Sequence, residues 1–270
     1  MAIKLIALDL DGTLLTSTKE ISQKNKAALQ AAREKGVHVV LTTGRPLQAI
    51  EGFLKELNLI GVGEYSITFN GGLVQENTGQ ILDKIGFSKQ EVEKIYQVTT
   101  QLALPLDVLH GGNVYSLPAI HDSLYLTCNP LLHKIESNIE TLPIDLTYNK
   151  AVSAMDASFI DQQIPLIPKD LYDQFEIFKS RDILLEWSPK GVHKANGLSR
   201  LIAHLGIDKS EVMACGDEEN DLTMVEWAGL GVAMANATDK LKSVAKLVLP
   251  KTNDEDGIAW AIEHYVLSEE

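Results

Sequence analysis

Apolar positions along the chain form short continuous runs and helical stripes, and the two kinds alternate. Ile3-Lys4-Leu5-Ile6-Ala7-Leu8 is a run of the kind required by a parallel strand buried on both faces. Ser22 is placed to cap a helix carrying Ala28, Leu29 and Ala32 and stopping at Gly36. Val37 to Leu41 is a second β-branched run. Pro46 suits the first turn of a second helix, with Leu47, Ile50, Leu54 and Leu57 on one face. Tyr65 to Phe69 reads as a third strand, ended by Asn70-Gly71-Gly72. This alternation favours a parallel α/β sheet.

The rhythm returns near the C-terminus. Leu198, Leu201, Ile202 and Leu205 mark a helix ending at Gly206. Val212-Met213-Ala214-Cys215 is a strand stopping at Gly216-Asp217. Gly231 to Met234 and Leu247 to Leu249 are further short strands, and Ile258, Ile262 and Val266 share a face of the last helix. The middle is different. Ser88 with Glu91 forms a capping box before Val92, Ile95 and Val98. Leu106 to Leu109 and Val114 to Leu117, joined through Gly111-Gly112-Asn113, read as a hairpin. The expected fold is α/β: a doubly wound, Rossmann-like parallel-sheet core over residues 1–83 and 189–270. An inserted α+β domain is expected over 84–188.

The 270 residues suit about two domains. Hydrophobic residues at 45% and charged residues at 23% argue against disorder and against a disulfide miniprotein. Lys plus Arg is 24 and Asp plus Glu 37, a net charge of −13. So acidic a surface makes nucleic acid and anionic membranes poor partners. No run approaches the roughly 18 apolar residues of a membrane span, and Asp9 and Asp11 interrupt the apolar start too early for an export signal. Cys128 and Cys215 then read as free thiols, and the expected location is cytoplasmic.

Candidate chemistry gathers where strands end. Asp9-Leu10-Asp11-Gly12-Thr13 follows the first strand, and two residues apart on an extended chain the carboxylates point to one side. Paired carboxylates repel each other unless a cation or proton sits between them. Taken alone, the motif is as well read as an acidic surface turn. Gly216-Asp217-Glu218-Glu219-Asn220-Asp221 is also acidic and also follows a strand; alone it is better read as a solvated helix start. Two such clusters at the ends of one parallel sheet, where ligands of open α/β sheets bind, fit Mg²⁺. Thr42-Thr43-Gly44-Arg45 adds a hydroxyl and a free amide able to hold a phosphoryl oxygen, though alone it is better read as a turn before the Pro46 helix. Lys194, in a first helical turn after His193, opposes the helix dipole unless an anion faces it; alone it is better read as an ordinary exposed residue. Acid, hydroxyl and ammonium at one sheet mouth describe phosphoryl transfer.

These residues resemble the haloacid dehalogenase-like (HAD) phosphatase superfamily. Asp9-Leu10-Asp11-Gly12-Thr13-Leu14 matches its first motif, Thr43 the second, Lys194 the third, and Gly216 to Asp221 the fourth, in the right order. The insert between the second and third motifs resembles the Cof-type branch, whose C2-type cap sets substrate specificity. Val39 to Pro46, Phe69-Asn70-Gly71 and Gly231 to Ala237 are similar to YidA-like sugar phosphatases. The resemblance implies a Mg²⁺-dependent phosphatase of small phosphorylated metabolites, sugar phosphates above all, acting through an aspartyl phosphate. It implies Asp9 as nucleophile and Asp11 as acid and base. Asp9, Asp11, Asp217 and Glu218 would hold the metal; Leu10, Thr43, Gly44, Lys194 and Asn220 would bind phosphate; Thr13 and Asp221 would support. Glu218 stands where relatives often carry Ser, Asp or Gln. The expected partner is a small phosphate ester, and the expected assembly a monomer or weak homodimer.

Two alternatives stand beside the phosphatase, a phosphomutase of the same fold and a silent phosphosugar-binding or receiver-like protein; other enzyme classes fail on simple tests. A response-regulator receiver is about half this length and ends a strand with its lysine. A silent phosphosugar sensor has no need of Asp11. A phosphomutase of the same fold differs only in passing the phosphoryl group to a second sugar. A cysteine phosphatase needs Arg six positions after Cys, where this chain has Lys134 and Asp221. Asn70, Gly71, Gly72, Asn113, Tyr115 and Trp187 are candidates for substrate selectivity, each better read as structural than as contacting.

Overall fold

The computed structural model describes residues 2–268. Within it the chain divides into two compact units, one of residues 1–45, 50–83 and 193–270, the other of residues 46–49 and 84–192. Among the described residues no helix is long and apolar enough to cross a membrane.

The first unit begins with strands β1 (Leu5–Leu8), β2 (His38–Thr42), β3 (Tyr65–Thr68), β4 (Leu73–Glu76) and β5 (Ile81–Lys84), the last reaching the unit boundary. The second carries β6 (Asp107–His110), β7 (Asn113–Ser116), β8 (His133–Glu136), β9 (Lys150–Ala154), β10 (Phe175–Arg181) and β11 (Leu184–Pro189). Strands β12 (Val212–Gly216), β13 (Leu230–Ala233) and β14 (Leu247–Val248) return to the first.

The first unit's sheet has the order β14-β13-β12-β1-β2-β3-β4-β5. It is parallel from β14 to β3 and turns antiparallel at β4, which is the expected α/β class. Leu5, Ile6, Ala7 and Leu8 are all fully buried, because a central parallel strand is covered on both faces. Strand order reverses at β1, whose neighbours β12 and β2 come from opposite ends of the chain. In such sheets a crevice opens beyond the strand ends at that point. Register sets what reaches it. Leu8 pairs with Cys215 on one side and Leu41 on the other, so Asp9, Gly216 and Thr42 emerge level.

Local signals explain most element ends. Ser22 accepts the Asn25 N–H at 3.1 Å and starts the helix Gln23–Glu34. His193 accepts the Asn196 N–H and starts the helix Lys194–Leu205, which Gly206 ends in the left-handed conformation. One expectation needs correcting. The single helix after Pro46 is instead a 3₁₀ turn, Leu47–Ala49, followed by a short α-helix, Glu51–Glu56. Ile50, at φ −117°, interrupts the two. The break falls where the chain passes between the compact units, so no single packing face runs the length of the segment.

The second unit has a six-stranded sheet of order β10-β11-β9-β6-β7-β8, antiparallel except for its last pair. Ser88 and Glu91 form the capping box at the head of the helix Lys89–Gln101. Val92 and Ile95 from that helix pack with Phe87, Tyr148, Phe175 and Trp187 into this unit's own core.

Candidate functional site

Asp9 continues the line of β1, its N–H donating to the Cys215 carbonyl at 3.1 Å. The chain then leaves the extended conformation. The Thr13 and Leu15 N–H groups both turn back to the Leu10 carbonyl, and Gly12 sits at φ +78°. A Cβ on Gly12 would overlap the Asp217 carboxylate, so this position needs glycine for space as well as for conformation. The turn sends the two first-motif carboxylates to different partners.

Asp9 lies against the ammonium of Lys194, Oδ1 to Nζ 2.5 Å. The same Nζ lies 2.6 Å from Asp221 Oδ1, and Lys194 is fully buried although it opens a helix. The other oxygen of Asp221 accepts the backbone N–H groups of Asp217 and Glu218 at 3.0 and 3.1 Å. Asp217 accepts the Thr13 hydroxyl at 2.8 Å. Ligand atoms of Asp9, Asp217 and Asp221 lie within 4.8 Å of one another. Three buried carboxylates facing one ammonium leave two formal negative charges among these groups.

That imbalance shows in proton affinity. Burial, with Asp221 nearby, pushes the Asp9 carboxyl up to about 7, even though Lys194 pulls the other way. Burial, with Asp9 and Asp221 nearby, pushes Asp217 up to about 8. Burial opposes charge on Lys194 as well, but Asp221 and Asp9 overcome it and hold the ammonium above its ordinary range. A compact set of hard oxygens short of positive charge fits a divalent cation such as Mg²⁺.

Asp11 stands apart from this cluster. Its Oδ2 takes the Arg45 guanidinium, with Nη2 at 2.5 Å and Nε at 3.2 Å, and its Oδ1 takes Lys19 Nζ at 2.7 Å. Burial works against its ionisation, but Arg45 and Lys19 outweigh burial and hold the carboxyl below the usual carboxylate value. The expected metal set therefore meets a different geometry. Among the described residues, the grouped acids are Asp9, Asp217 and Asp221, without Asp11 and Glu218. The Asp221 carboxylate folds back under the loop to meet Lys194, whereas the Asp11 carboxylate turns to Arg45 and Lys19.

The other expected residues of the first unit fall around the same mouth. The Thr43 hydroxyl accepts the Arg45 N–H at 3.2 Å. Gly44 lies against the Asn70 amide, and Asn220 Nδ2 donates to Asn70 Oδ1 at 3.4 Å. Leu10 is buried beneath the loop. Trp187 and Tyr115 belong to the second unit's core. No sequence pattern marks Lys19 and Arg45, which come from different loops, as partners of Asp11. Asn236 lies within the Gly231–Ala237 resemblance without a role there; its amide donates to the Gly12 carbonyl at 2.8 Å and accepts the Asn253 N–H at 3.1 Å.

A direct consequence is a coupling of stability to pH and metal. A carboxyl raised on folding contributes stability that is fully present below its ordinary value and is lost as pH rises through the raised one. For Asp9 and Asp217 that loss extends to about 7 and about 8. The chelated protein should melt at a lower temperature at pH 9 than at pH 6, and Mg²⁺ should raise the melting temperature more at pH 9. Asp217→Asn should flatten both trends. Thermal melts at the two pH values check this; an equal Mg²⁺ effect at both would contradict it.

The family model for haloacid dehalogenase-like hydrolases matches residues 6–262. YxeH of Bacillus subtilis, which carries a phosphatase name, is 35% identical over 98% of this chain and 99% of its own. A haloacid dehalogenase-like hydrolase structure from Bacteroides thetaiotaomicron has a TM-score of 0.84 at 32% identity, covering 97% of this chain and 98% of that one. The structure of a HAD subclass IIB sugar phosphatase has a TM-score of 0.80 at 26% identity, covering 97% and 98%.

Proposed function

The chain belongs to the haloacid dehalogenase-like hydrolases, and from that premise we propose that this phosphatase hydrolyses small phosphorylated metabolites, chiefly sugar phosphates, with Mg²⁺ and through a phosphorylated Asp9. One observation carries the reading: the buried Asp9 carboxylate, held by Lys194 beside Asp217 at the reversal point of a parallel sheet.

Asp9 Oδ attacks phosphorus in line with the ester oxygen, and the bond from phosphorus to that oxygen breaks. Asp11 gives its proton to the departing oxygen, then takes one from the water that attacks the phosphorylated Asp9. Each role needs the other's product, so Asp11 ends the cycle as it began. Lys194 offsets charge on the transferred group, and Asp221 fixes its ammonium from behind. The Thr43 hydroxyl, the Leu10 and Gly44 amides and the Asn220 side chain hold phosphoryl oxygens. Mg²⁺, held by Asp9 and Asp217 with Asp221 near, would neutralise the phosphoryl oxygens as charge shifts between them. Before substrate binds, Asp11 is a carboxylate between Arg45 and Lys19. An incoming phosphate ester competes for both cations, which relaxes the field that keeps the proton off Asp11, and Asp11 takes up the proton of the ester monoanion or one from solvent; it returns that proton to solvent when phosphate leaves and the two cations re-engage it. Choice among esters is assigned to the second unit, residues 46–49 and 84–192.

The test is phosphate release from a panel of phosphorylated metabolites. Hexose and pentose phosphates should be hydrolysed with Mg²⁺, and activity should vanish with a chelator. Ca²⁺ should inhibit, since its larger and looser shell misplaces the nucleophile. Undiminished turnover in the chelated protein, or a panel in which sugar phosphates are no better than other esters, would overturn the reading.

A further inference from the structure

Phe69, Asn70 and Gly71 have φ of 52°, 55° and 100°, three successive residues in the left-handed region. Glycine accepts that conformation freely, asparagine tolerates it, and phenylalanine is disfavoured there. The segment persists because the surroundings fix it from several sides. The Asn70 N–H donates to the Thr43 carbonyl at 3.0 Å, and the Phe69 N–H to the Arg45 carbonyl at 3.4 Å. On the other side Gly71 packs so closely on the His193 carbonyl that a Cβ there would overlap it, and Arg200 donates to the Gly71 carbonyl. The turn therefore joins the loop bearing Thr43 and Gly44 to the start of the helix bearing Lys194.

Asn70 adds the third connection. It is buried, with 3% of its surface exposed. Its Oδ1 accepts Asn220 Nδ2 at 3.4 Å and lies 3.0 Å from where a Cβ on Gly44 would stand. A side chain in the left-handed conformation thus touches two groups assigned above to the phosphoryl oxygens, while its N–H holds the Thr43 carbonyl and the next residue, Gly71, packs on the start of the Lys194 helix. In the sequence alone Asn70 is a selectivity candidate better read as structural.

We propose that Asn70 is a positioning residue, holding the Asn220 amide and the Gly44 loop at the spacing a transferring phosphoryl group requires. The proposal rests on the phosphatase reading. Asn70 acts through Asn220 and Gly44, and the strained turn is what points its amide between them. Strain kept at a site in this way is a form of preorganisation.

The test separates side chain from backbone. Asn70→Gly retains the left-handed conformation at no steric cost and removes only the amide. Turnover on an active ester and inhibition by orthovanadate should both weaken about tenfold, the scale of one lost hydrogen bond. The melting temperature should stay close to that of the wild type. Asn70→Gly combined with Asn220→Ala should lose less than the product of the two single losses, because the part of the Asn70 effect that runs through Asn220 is already gone and only the part on the Gly44 loop remains. Unchanged turnover and vanadate inhibition in Asn70→Gly, or losses that multiply in the double variant, would overturn the role. Loss of the fold in Asn70→Gly would assign the residue to stability and overturn it too. A wild-type chain inert toward every ester would remove the phosphatase reading, and this one with it; an active wild type with an unaffected variant removes this one alone.

Discussion

Asp9→Asn is expected to lower turnover at least about 10³-fold, roughly 4 kcal/mol of barrier. The amide keeps the shape of the side chain and removes the charge and the nucleophilic oxygen. Lys194 would then face Asp221 alone. The same substitution removes a carboxyl whose burial pushes it up to about 7. The variant should therefore melt no lower than the wild type at pH 8 without metal, because a buried negative charge has gone. Steady-state phosphate release and a thermal melt on one preparation check both halves. Near-wild-type turnover would remove Asp9 as the nucleophile, and a collapse of stability would show that the activity loss came from unfolding.

Asp11→Asn should fail differently, because its task depends on the leaving group. General acid catalysis contributes about 10²–10⁴ where it is needed. A sugar alkoxide needs a proton badly, and an aryl oxide hardly at all. First-step loss in Asp11→Asn should therefore be large for a sugar phosphate and small for an aryl phosphate. With the aryl ester a burst of phenol should precede slow turnover, since the second step still lacks its base. Arg45 and Lys19, which now grip the Asp11 carboxylate at 2.5 and 2.7 Å, would face a neutral amide. Rapid mixing with both esters checks this, and equal first-step losses on the two would reject the acid role. The same experiment on Asp9→Asn should give no burst from either ester.

The strands that frame the site were legible because parallel strands buried on both faces must be continuous apolar runs, and β1, β2 and β12 are. The acids that follow β1 and β12, and the Thr43-Gly44 pair that follows β2, were legible because a polar residue directly after such a run has only the strand end to occupy. Lys194 was marked by a mismatch, a lysine where the helix dipole disfavours it, and the structure resolves the mismatch with Asp9 and Asp221. The pairing of Asp11 with Arg45 and Lys19 was not legible. It depends on the turn at Leu10 to Leu15 abandoning the extended geometry on which the shared direction of Asp9 and Asp11 was argued. The split helix after Pro46 was hidden for a related reason. Its apolar spacing is helical throughout, but residues 46–49 and 50–83 belong to different compact units, which spacing alone does not encode. Phe69 is the sharpest case, since no sequence rule places a phenylalanine at φ 52°. Only the contacts of its neighbours with the Thr43 loop and the Lys194 helix account for it.

In the proposed reaction Asp9 carries the phosphoryl group between the two steps. Acid quenching of Asp11→Asn within the first turnover of an aryl phosphate, followed by mass spectrometry of the peptide spanning residues 5–19, observes that carrier itself. The slowed second step should let the adduct accumulate, giving close to one phosphoryl group per chain on Asp9, labile to hydroxylamine as an acyl phosphate is. Stoichiometric phenol release with an unmodified Asp9 peptide, or a phosphoryl group found on any other residue, would contradict the account.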